Sequence, residues 1–249
     1  MKKMSMIQAV FSPTGGTQAV ADAIAGSMPM QKVDLCGEVE AQAVGVPVLA
    51  VLPVYGGRLP EIAVERLRHL KGQGQAAVAV VVYGNRAYED ALAELKNELT
   101  GCGFRVIAAA AFIAEHSIVR SVATGRPDTE DKLLAAEFGR AVAAKLVAQD
   151  MSEVTVPGGE PYRDRSVMPV VPLVLENCGA CGKCARLCPV GAIPLNAPNT
   201  TDAEKCILCM RCVSVCPRRS RLLPTPVLSG LTQRLQAVAA ERKLPQLFV

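Results

Sequence analysis

The chain has no tryptophan, and aromatic residues make up only 4% of its 249 residues. Half of the residues are nevertheless hydrophobic, so the chain can build a sizeable core from mostly aliphatic side chains. Apolar runs are short as well. The longest, 76–83 and 106–114, fall well below the roughly 18 residues that a membrane-spanning helix needs. The sequence therefore predicts no membrane span.

A secretory signal is also missing. Lys2 and Lys3 precede a short apolar stretch, but the sequence turns polar and glycine-rich by Ser12, with no cleavage-like region. We expect a cytoplasmic protein whose thiols stay reduced and available for metal. No basic stripe is interleaved with aromatic residues, which argues against a nucleic-acid partner.

Eight of the ten cysteines form two copies of one pattern. In each copy two residues lie between the first and second cysteines and two between the second and third. Three residues lie between the third and fourth cysteines, and a proline follows the fourth. This is the signature of bacterial two-cluster ferredoxins, in which the fourth cysteine of each copy binds the other cluster. The signature predicts one [4Fe-4S] cluster on Cys178, Cys181, Cys184 and Cys216, and a second on Cys206, Cys209, Cys212 and Cys188.

Two other uses of these cysteines remain open at this point. Structural zinc sites also employ pairs of cysteines two residues apart, and secreted domains use cysteines for disulfides. Zinc sites, however, separate their pairs by a longer insert, whereas here four cysteines fall within eleven residues. The iron-sulfur interpretation fits the spacing better. Cys36 and Cys102 match no ligand spacing, and we expect buried or idle thiols there.

The formal charge of +4 counts cysteines as neutral. Eight thiolates and two oxidised cluster cores would lower it to about zero, and a flavin phosphate would lower it to about −2. The apparent basicity therefore says little about partners.

The first apolar segment is followed by a hydroxyl- and glycine-rich turn. Residues 6–11 predict a buried strand and 18–26 a helix, so backbone N–H groups and hydroxyls of the turn between them can converge on a phosphate. The Walker lysine and the dinucleotide-binding glycine pattern are both absent. The turn can also serve simply to start the helix.

Further strands are predicted at 31–36, 47–54, 76–83 and 104–110, alternating with helices at 61–70, 89–99 and 128–148. This alternation predicts an α/β fold, a flavodoxin-like doubly wound five-stranded parallel sheet of order 2-1-3-4-5. The loops after strands 3 and 4 combine glycine with an aromatic residue, Tyr55 in one loop and Tyr83 and Tyr88 in the other. A phosphate site beside loops suited to a flat ring favours a mononucleotide, FMN. Tyr83, at a strand end, suits the core better.

The N-terminal turn resembles the flavodoxin phosphate loop, and 82–92 resembles the flavin-ring loop. Together with the cysteine copies, nearly the whole chain resembles flavodoxin-ferredoxin fusion electron carriers of anaerobic bacteria, including 112–117, 125–128 and 244–249. The resemblance implies a phosphate site and a site around the isoalloxazine ring. The phosphate residues are Ser12, Thr14, Gly15, Gly16 and Thr17, and the ring residues are Pro53, Tyr55, Gly56, Gly84, Asn85 and Tyr88.

Two further features have more than one interpretation. His116 follows the fifth strand at the ligand-binding edge, so it is a candidate catalytic residue or an ordinary hydrogen-bonded histidine. Arg218, Arg219 and Arg221 follow the last cysteine, where positive charge would raise a cluster potential. They can instead bind an acidic partner or face solvent.

The predicted organisation is a flavodoxin-like domain at 1–150, an extended linker at 151–172, a small α+β two-cluster ferredoxin domain at 173–222 and a helical tail at 223–249 packed on the body. The leading hypothesis is an electron-transfer protein that passes electrons between clusters and FMN and exchanges them with a ferredoxin or oxidoreductase. The alternatives are an FMN-dependent reductase of a quinone or enone, and a redox sensor or scaffold without flavin. A homodimer that brings clusters and flavin together is also possible.

Overall fold

The computed structural model describes residues 5–26, 28–165 and 168–249. Five parallel strands of its main sheet are β1 Met6–Val10, β2 Met30–Asp34, β4 Val48–Pro53, β6 Ala76–Tyr83 and β7 Arg105–Ile113. Their spatial order is β2-β1-β4-β6-β7. This is the predicted flavodoxin order 2-1-3-4-5, which confirms the fold class.

The central strands are buried on both faces because helices cover both sides of the sheet. Strands β4 and β6 consist largely of valine, alanine and leucine, and every one of their residues is buried. The edge strand β2 is instead half-buried or exposed. Apolar content therefore marked the centre of the sheet better than its edge.

Two helices pack on each face of the sheet. The helices α1 Gly16–Ala25 and α4 Thr129–Val147 cover one face, and α2 Glu61–Leu67 and α3 Ala91–Gly101 cover the other. Helix α4 begins with a capping box, in which the side chains of Asp128 and Asp131 each accept the other residue's backbone N–H. Two short paired strands, β3 Gln42–Ala43 and β5 Leu70–Lys71, lie outside the main sheet.

The connector after α4 lies along the flavodoxin-like body. The backbone N–H of Val154 donates to the Val106 carbonyl at 3.1 Å, and the guanidinium of Arg165 pairs with the buried Glu94 carboxylate at 2.8 Å. Glu94 also binds Arg58 at 2.9 Å. These contacts tether the predicted extended linker closely to the flavodoxin-like body.

The cysteine-rich module begins and ends on one small antiparallel pair, β8 Leu173–Val174 with β9 Arg221–Leu222. Between these strands lie two one-turn helices, α5 Lys183–Arg186 and α6 Arg211–Ser214. Each short helix carries the third cysteine of one copy. Ile207 of the module packs against the core of the flavodoxin-like body.

The C-terminal tail contains more than the predicted helix. Helix α7 Thr225–Ala239 packs through Ala239 and neighbouring leucines on Val119 and Val122. The chain then adds β10 Gln246–Phe248 to the main sheet, antiparallel to β7. The sequence did not predict this strand, because three residues give too weak a hydrophobic pattern. None of the described helices is long and apolar enough to cross a membrane.

Candidate cofactor sites

The two cysteine copies interleave around two separate cavities. One cavity is lined by cysteines 178, 181 and 184 of the first copy together with Cys216 of the second. The other is lined by cysteines 206, 209 and 212 of the second copy together with Cys188 of the first. We call these the first and second cluster cavities. Each contains the four cysteines that the signature assigns to one cluster.

A backbone N–H group donates a hydrogen bond to the sulfur of the fourth cysteine in each copy. The N–H of Ala192 donates to Cys188 Sγ at 3.3 Å, and the N–H of Ser220 donates to Cys216 Sγ at 3.2 Å. Partial burial raises the pKa of the Cys216 thiol, but the backbone N–H groups of Ser220, Arg218 and Arg221 outweigh it, so the pKa is lowered. These donors favour the thiolate, the form that binds iron.

Unpartnered polar atoms test whether the cavities suit a cluster. Among the described residues, Nε of Arg211, Nε of Arg221 and Oγ of Ser220 are buried without a hydrogen-bond partner. Ser220 and Arg221 line the first cavity. An unsatisfied buried donor costs about 1–3 kcal/mol, and cluster sulfur atoms would supply the missing acceptors. The residues present therefore fit a [4Fe-4S] cluster.

Arg221 is a buried cation beside both cavities. The residue is only 2% exposed. Its guanidinium donates to Thr201 Oγ1 at 2.8 Å and to the carbonyls of Pro198 and Thr200 at 2.6 and 3.0 Å. All three acceptors are neutral. Arg221 also acts to lower the pKa of Cys212, a ligand candidate of the second cavity, although burial raises that pKa to about 11 overall.

Two adjoining cavities lie at the carboxyl ends of the parallel strands. The smaller, about 70 Å³, is lined by the N-terminal turn, by Pro53 and Tyr55 after β4, and by Tyr83 and Gly84 at the end of β6. The larger, about 290 Å³, extends from the same turn past His116 and Arg120. Together we call them the sheet-edge cavity. Its position, at the switch point between β1 and β4, is where ligands bind in this topology.

The N-terminal turn forms a cradle of backbone N–H groups. Gly15 adopts φ +96°, a left-handed conformation that glycine accommodates without strain, and helix α1 starts directly after it. The hydroxyl of Ser12 accepts the N–H of Gln18 at 2.9 Å, which fixes the turn. The first N–H groups of a helix have no intrahelical acceptor, and Thr14, Gly16 and Thr17 line the sheet-edge cavity. The cradle suits a phosphate.

Gly84 and His116 shape the ring side of the cavity. A Cβ on Gly84 would lie 2.4 Å from His116 Cδ2, so only glycine admits the imidazole at this distance. Nδ1 of His116 accepts the N–H groups of Ile118 and Val119 at 3.2 and 3.0 Å. Burial, with a smaller contribution from Arg86, lowers the pKa of His116 to about 4. The ring is therefore neutral near pH 7, with its proton on Nε2.

Three residues predicted to surround the flavin ring do not line the sheet-edge cavity. The side chain of Asn85 donates to the carbonyls of Ala239 and Glu241, both at 2.8 Å, and so holds the C-terminal segment. Tyr88 is buried against Tyr83, with ring centroids 5.5 Å apart, and its hydroxyl binds Gln246. Gly56 is exposed and lines neither part of the cavity. The loop sequence could not reveal that the side chains of Asn85 and Tyr88 form hydrogen bonds with the C-terminal tail.

The cysteine-rich module completes the wall of the sheet-edge cavity. Met210, Val213 and Ser214, which flank ligand candidates of the second cluster cavity, line the larger part of it. Tyr55 connects the two sites as well. Burial raises the pKa of its hydroxyl well above the usual value, and the nearby thiols of Cys209 and Cys36 add to this effect.

Arg66 joins the two modules at the second cluster cavity. Its guanidinium donates to the carbonyl of Pro189 at 2.7 Å and to those of Leu35 and Cys36, both at 3.0 Å. Pro189 directly follows Cys188, so this contact fixes the module against the loop after β2. Nothing in the sequence distinguished Arg66 from the other helix-surface arginines.

Comparison with known proteins identifies the cysteine-rich module. Residues 177–220 match the family model of the 4Fe-4S dicluster domain. Over 53 residues the chain is 43% identical to the DNA-directed RNA polymerase subunit Rpo3 of Methanosarcina acetivorans, covering 20% of this chain and 19% of that protein. Over 68 residues it is 40% identical to the putative electron transport protein YccM of Escherichia coli, covering 27% of this chain and 16% of that protein. The matches thus span less than a fifth of these relatives.

Among solved structures, the chain is similar to flavodoxin 2 from Bacillus cereus, with a TM-score of 0.43 and 18% identity over 57% of this chain and 99% of that one. The fold assignment rests on the strand order of the sheet itself. The chain thus joins a flavodoxin-like α/β domain to a segment that matches the 4Fe-4S dicluster domain.

Proposed function

We propose that this chain transfers electrons between two [4Fe-4S] clusters and FMN, and thereby links one-electron with two-electron carriers. Clusters accept one electron each and flavin accepts one or two, so the cofactors supply this chemistry and the protein positions and tunes them. One observation carries the proposal. Residues flanking Cys209 and Cys212 form part of the wall of the sheet-edge cavity. This supports a cluster site and a flavin site that lie side by side in one chain.

The chain's own residues have distinct roles in this proposal. Cysteines 178, 181, 184 and 216 would hold the first cluster, and cysteines 206, 209, 212 and 188 the second. The cradle of Thr14, Gly16 and Thr17 would hold the phosphate, and the loops at Tyr55 and Gly84 would position the ring. Arg66 holds the cluster-binding module against the flavodoxin-like body through the carbonyl of Pro189.

The geometry around His116 favours electron transfer over a reductase activity. An acid that protonates a substrate must carry a proton at working pH, whereas the lowered pKa of His116 leaves its ring neutral above about pH 5. Nδ1 is also occupied by two backbone N–H groups. His116 is therefore suited to donating a hydrogen bond through Nε2, and the reductase loses its best candidate acid.

The test is whether electrons reach the flavin within a single chain. The protein is purified anaerobically and assayed for about eight irons and one FMN. Flash-photoreduced deazariboflavin then reduces it, and flavin reduction is followed by absorbance over a range of protein concentrations. We expect a first-order phase whose rate is independent of concentration. A rate proportional to concentration would mean that transfer occurs between chains, and a protein without FMN would refute the proposal.

Cys188→Ser and Cys216→Ser are matched variants, because each removes one sulfur ligand candidate from a different cluster cavity. We expect Cys188→Ser to abolish the first-order phase, since it disrupts the cavity beside the sheet-edge cavity. Cys216→Ser should preserve transfer from the remaining cluster. If Cys216→Ser abolished the phase and Cys188→Ser preserved it, the first cluster and not the second would be the one that reduces the flavin, which would contradict the proposed path.

A further inference from the structure

The two cluster cavities face different surroundings. Around the second cavity, Cys209 is 8% exposed, Ile207 packs on the flavodoxin-like core, and the carbonyl of Pro189 binds Arg66. Around the first cavity, Cys181 and its neighbours Gly179 and Ala180 are exposed. The first cavity is therefore the one that an external protein can approach.

Four exposed cations surround this approach. They are Lys183, Arg186, Arg218 and Arg219, and we call them the basic rim. The guanidinium of Arg218 lies over Gly179, 2.7 Å from the position that a Cβ would occupy, and that of Arg186 lies 2.9 Å from the corresponding position at Gly182. Arg186 also donates to the Cys181 carbonyl at 3.1 Å. Two of the four cations are thus held directly on the loop that carries the first ligands.

Acidic residues are scarce in the sequence around the basic rim. No aspartate or glutamate occurs at 177–201 or at 206–240. The acidic residues Asp202 and Glu204 precede the second copy. The Asp202 carboxylate accepts the backbone N–H groups of Glu204 and Lys205 and pairs with the Lys205 side chain. Glu176 lies just before the module's first cysteine. Unneutralised positive charge at an exposed redox centre raises the rate of encounter with a negatively charged protein.

We propose that the basic rim is the docking surface for an acidic electron-transfer protein, which exchanges single electrons with the first cluster. This inference rests on the proposed function, since it names the partner class of the same electron path. In one exchange the reduced partner loses one electron from its metal centre and the first cluster gains it. No bond forms and no proton moves. The reverse exchange uses the same surface.

The experiment measures the second-order rate constant for reduction of the loaded full-length protein by an acidic two-cluster ferredoxin, in stopped flow at several salt concentrations. The variant K183E/R219E reverses two rim charges whose side chains hold no loop in place. The matched control K132E/R140E makes the same change in net charge on the exposed face of α4. We expect the rim variant to react at least tenfold more slowly at low salt and the control to stay within twofold of wild type.

Salt dependence separates docking from a change in cluster potential. Because the Debye length falls from about 10 Å at 0.1 M to 3 Å at 1 M, we expect the difference between wild type and rim variant to shrink at high salt. A difference that persists at 1 M salt, or an equal loss in the control, would overturn the proposal.

Neutral photoreduced deazariboflavin keeps the two proposals apart. It should reduce the clusters of wild type and rim variant at similar rates, and the flavin should follow in both. If the flavin does not follow but the ferredoxin rate depends on rim charge and salt, the proposed internal transfer fails and the docking surface stands. If the flavin follows but the rim variant reacts normally with ferredoxin, only the docking surface fails.

Discussion

Removing the charge of Arg221 should lower the potentials of the clusters. Arg221 is buried, lines the first cluster cavity and acts on Cys212 of the second. Among the described residues no carboxylate pairs with it, and its guanidinium donates only to neutral oxygens. A buried cation without a counter-ion is costly, so anionic clusters on both sides would stabilise it.

Arg221→Met removes the charge while preserving much of the side-chain volume. Over a separation of about 8 Å and at an effective dielectric constant of about 20, Coulomb's law gives ~2 kcal/mol between unit charges. Reduction adds one negative charge, so losing Arg221 should lower a one-electron potential by about 90 mV. The potential falls because the reduced cluster, which carries one more negative charge, loses more attraction to the guanidinium than the oxidised cluster does.

The assay is an anaerobic potentiometric titration monitored by EPR, which reports both clusters without any partner or turnover. Arg221→Lys retains the charge and should keep most of the potential. Arg234→Met, on the exposed part of α7, is the control for a general loss of positive charge. Unchanged potentials in an Arg221→Met protein that still binds about eight irons would refute the reasoning, as would an equal shift in Arg234→Met.

Three other predictions concern the flavodoxin-like domain and its junction with the module. Gly84→Ala should weaken FMN binding at least tenfold, measured by fluorescence titration, because its Cβ would displace the His116 ring; unchanged affinity would refute this packing argument. Arg66→Met should slow the concentration-independent flavin reduction without changing iron content, because it releases the carbonyl of Pro189. The control Arg68→Met removes an exposed arginine that pairs with Glu98 and should leave the rate unchanged. His116 should make folding pH-dependent. Its pKa is about 4 when folded and about 6.5 when unfolded, so below pH 6.5 protons bind the unfolded chain preferentially and stability falls until about pH 4. Between pH 8 and pH 5 this amounts to about 2 kcal/mol, which urea unfolding of wild type and His116→Asn should reveal as a difference in slope; parallel pH profiles would contradict it.

The sequence by itself determined the fold class and the cluster-binding segment. Buried β-branched strands alternate with helices at a period that a doubly wound sheet requires, and cysteine spacing is a local property that iron-sulfur geometry constrains directly. The turn before α1, whose residues line the sheet-edge cavity, was also recognisable as a turn because it is built from consecutive residues. Each of these features depends on neighbours in the chain.

Only the tertiary structure decided what depends on distant contacts. It placed the second cluster cavity beside the sheet-edge cavity, and it buried Arg221 between the two cluster cavities while its sequence neighbours Arg218 and Arg219 stayed exposed. It also assigned Asn85 and Tyr88 to the C-terminal tail. A side chain's partner from 150 residues away leaves no local pattern, because the contact exists only after the sheet and the module have packed together.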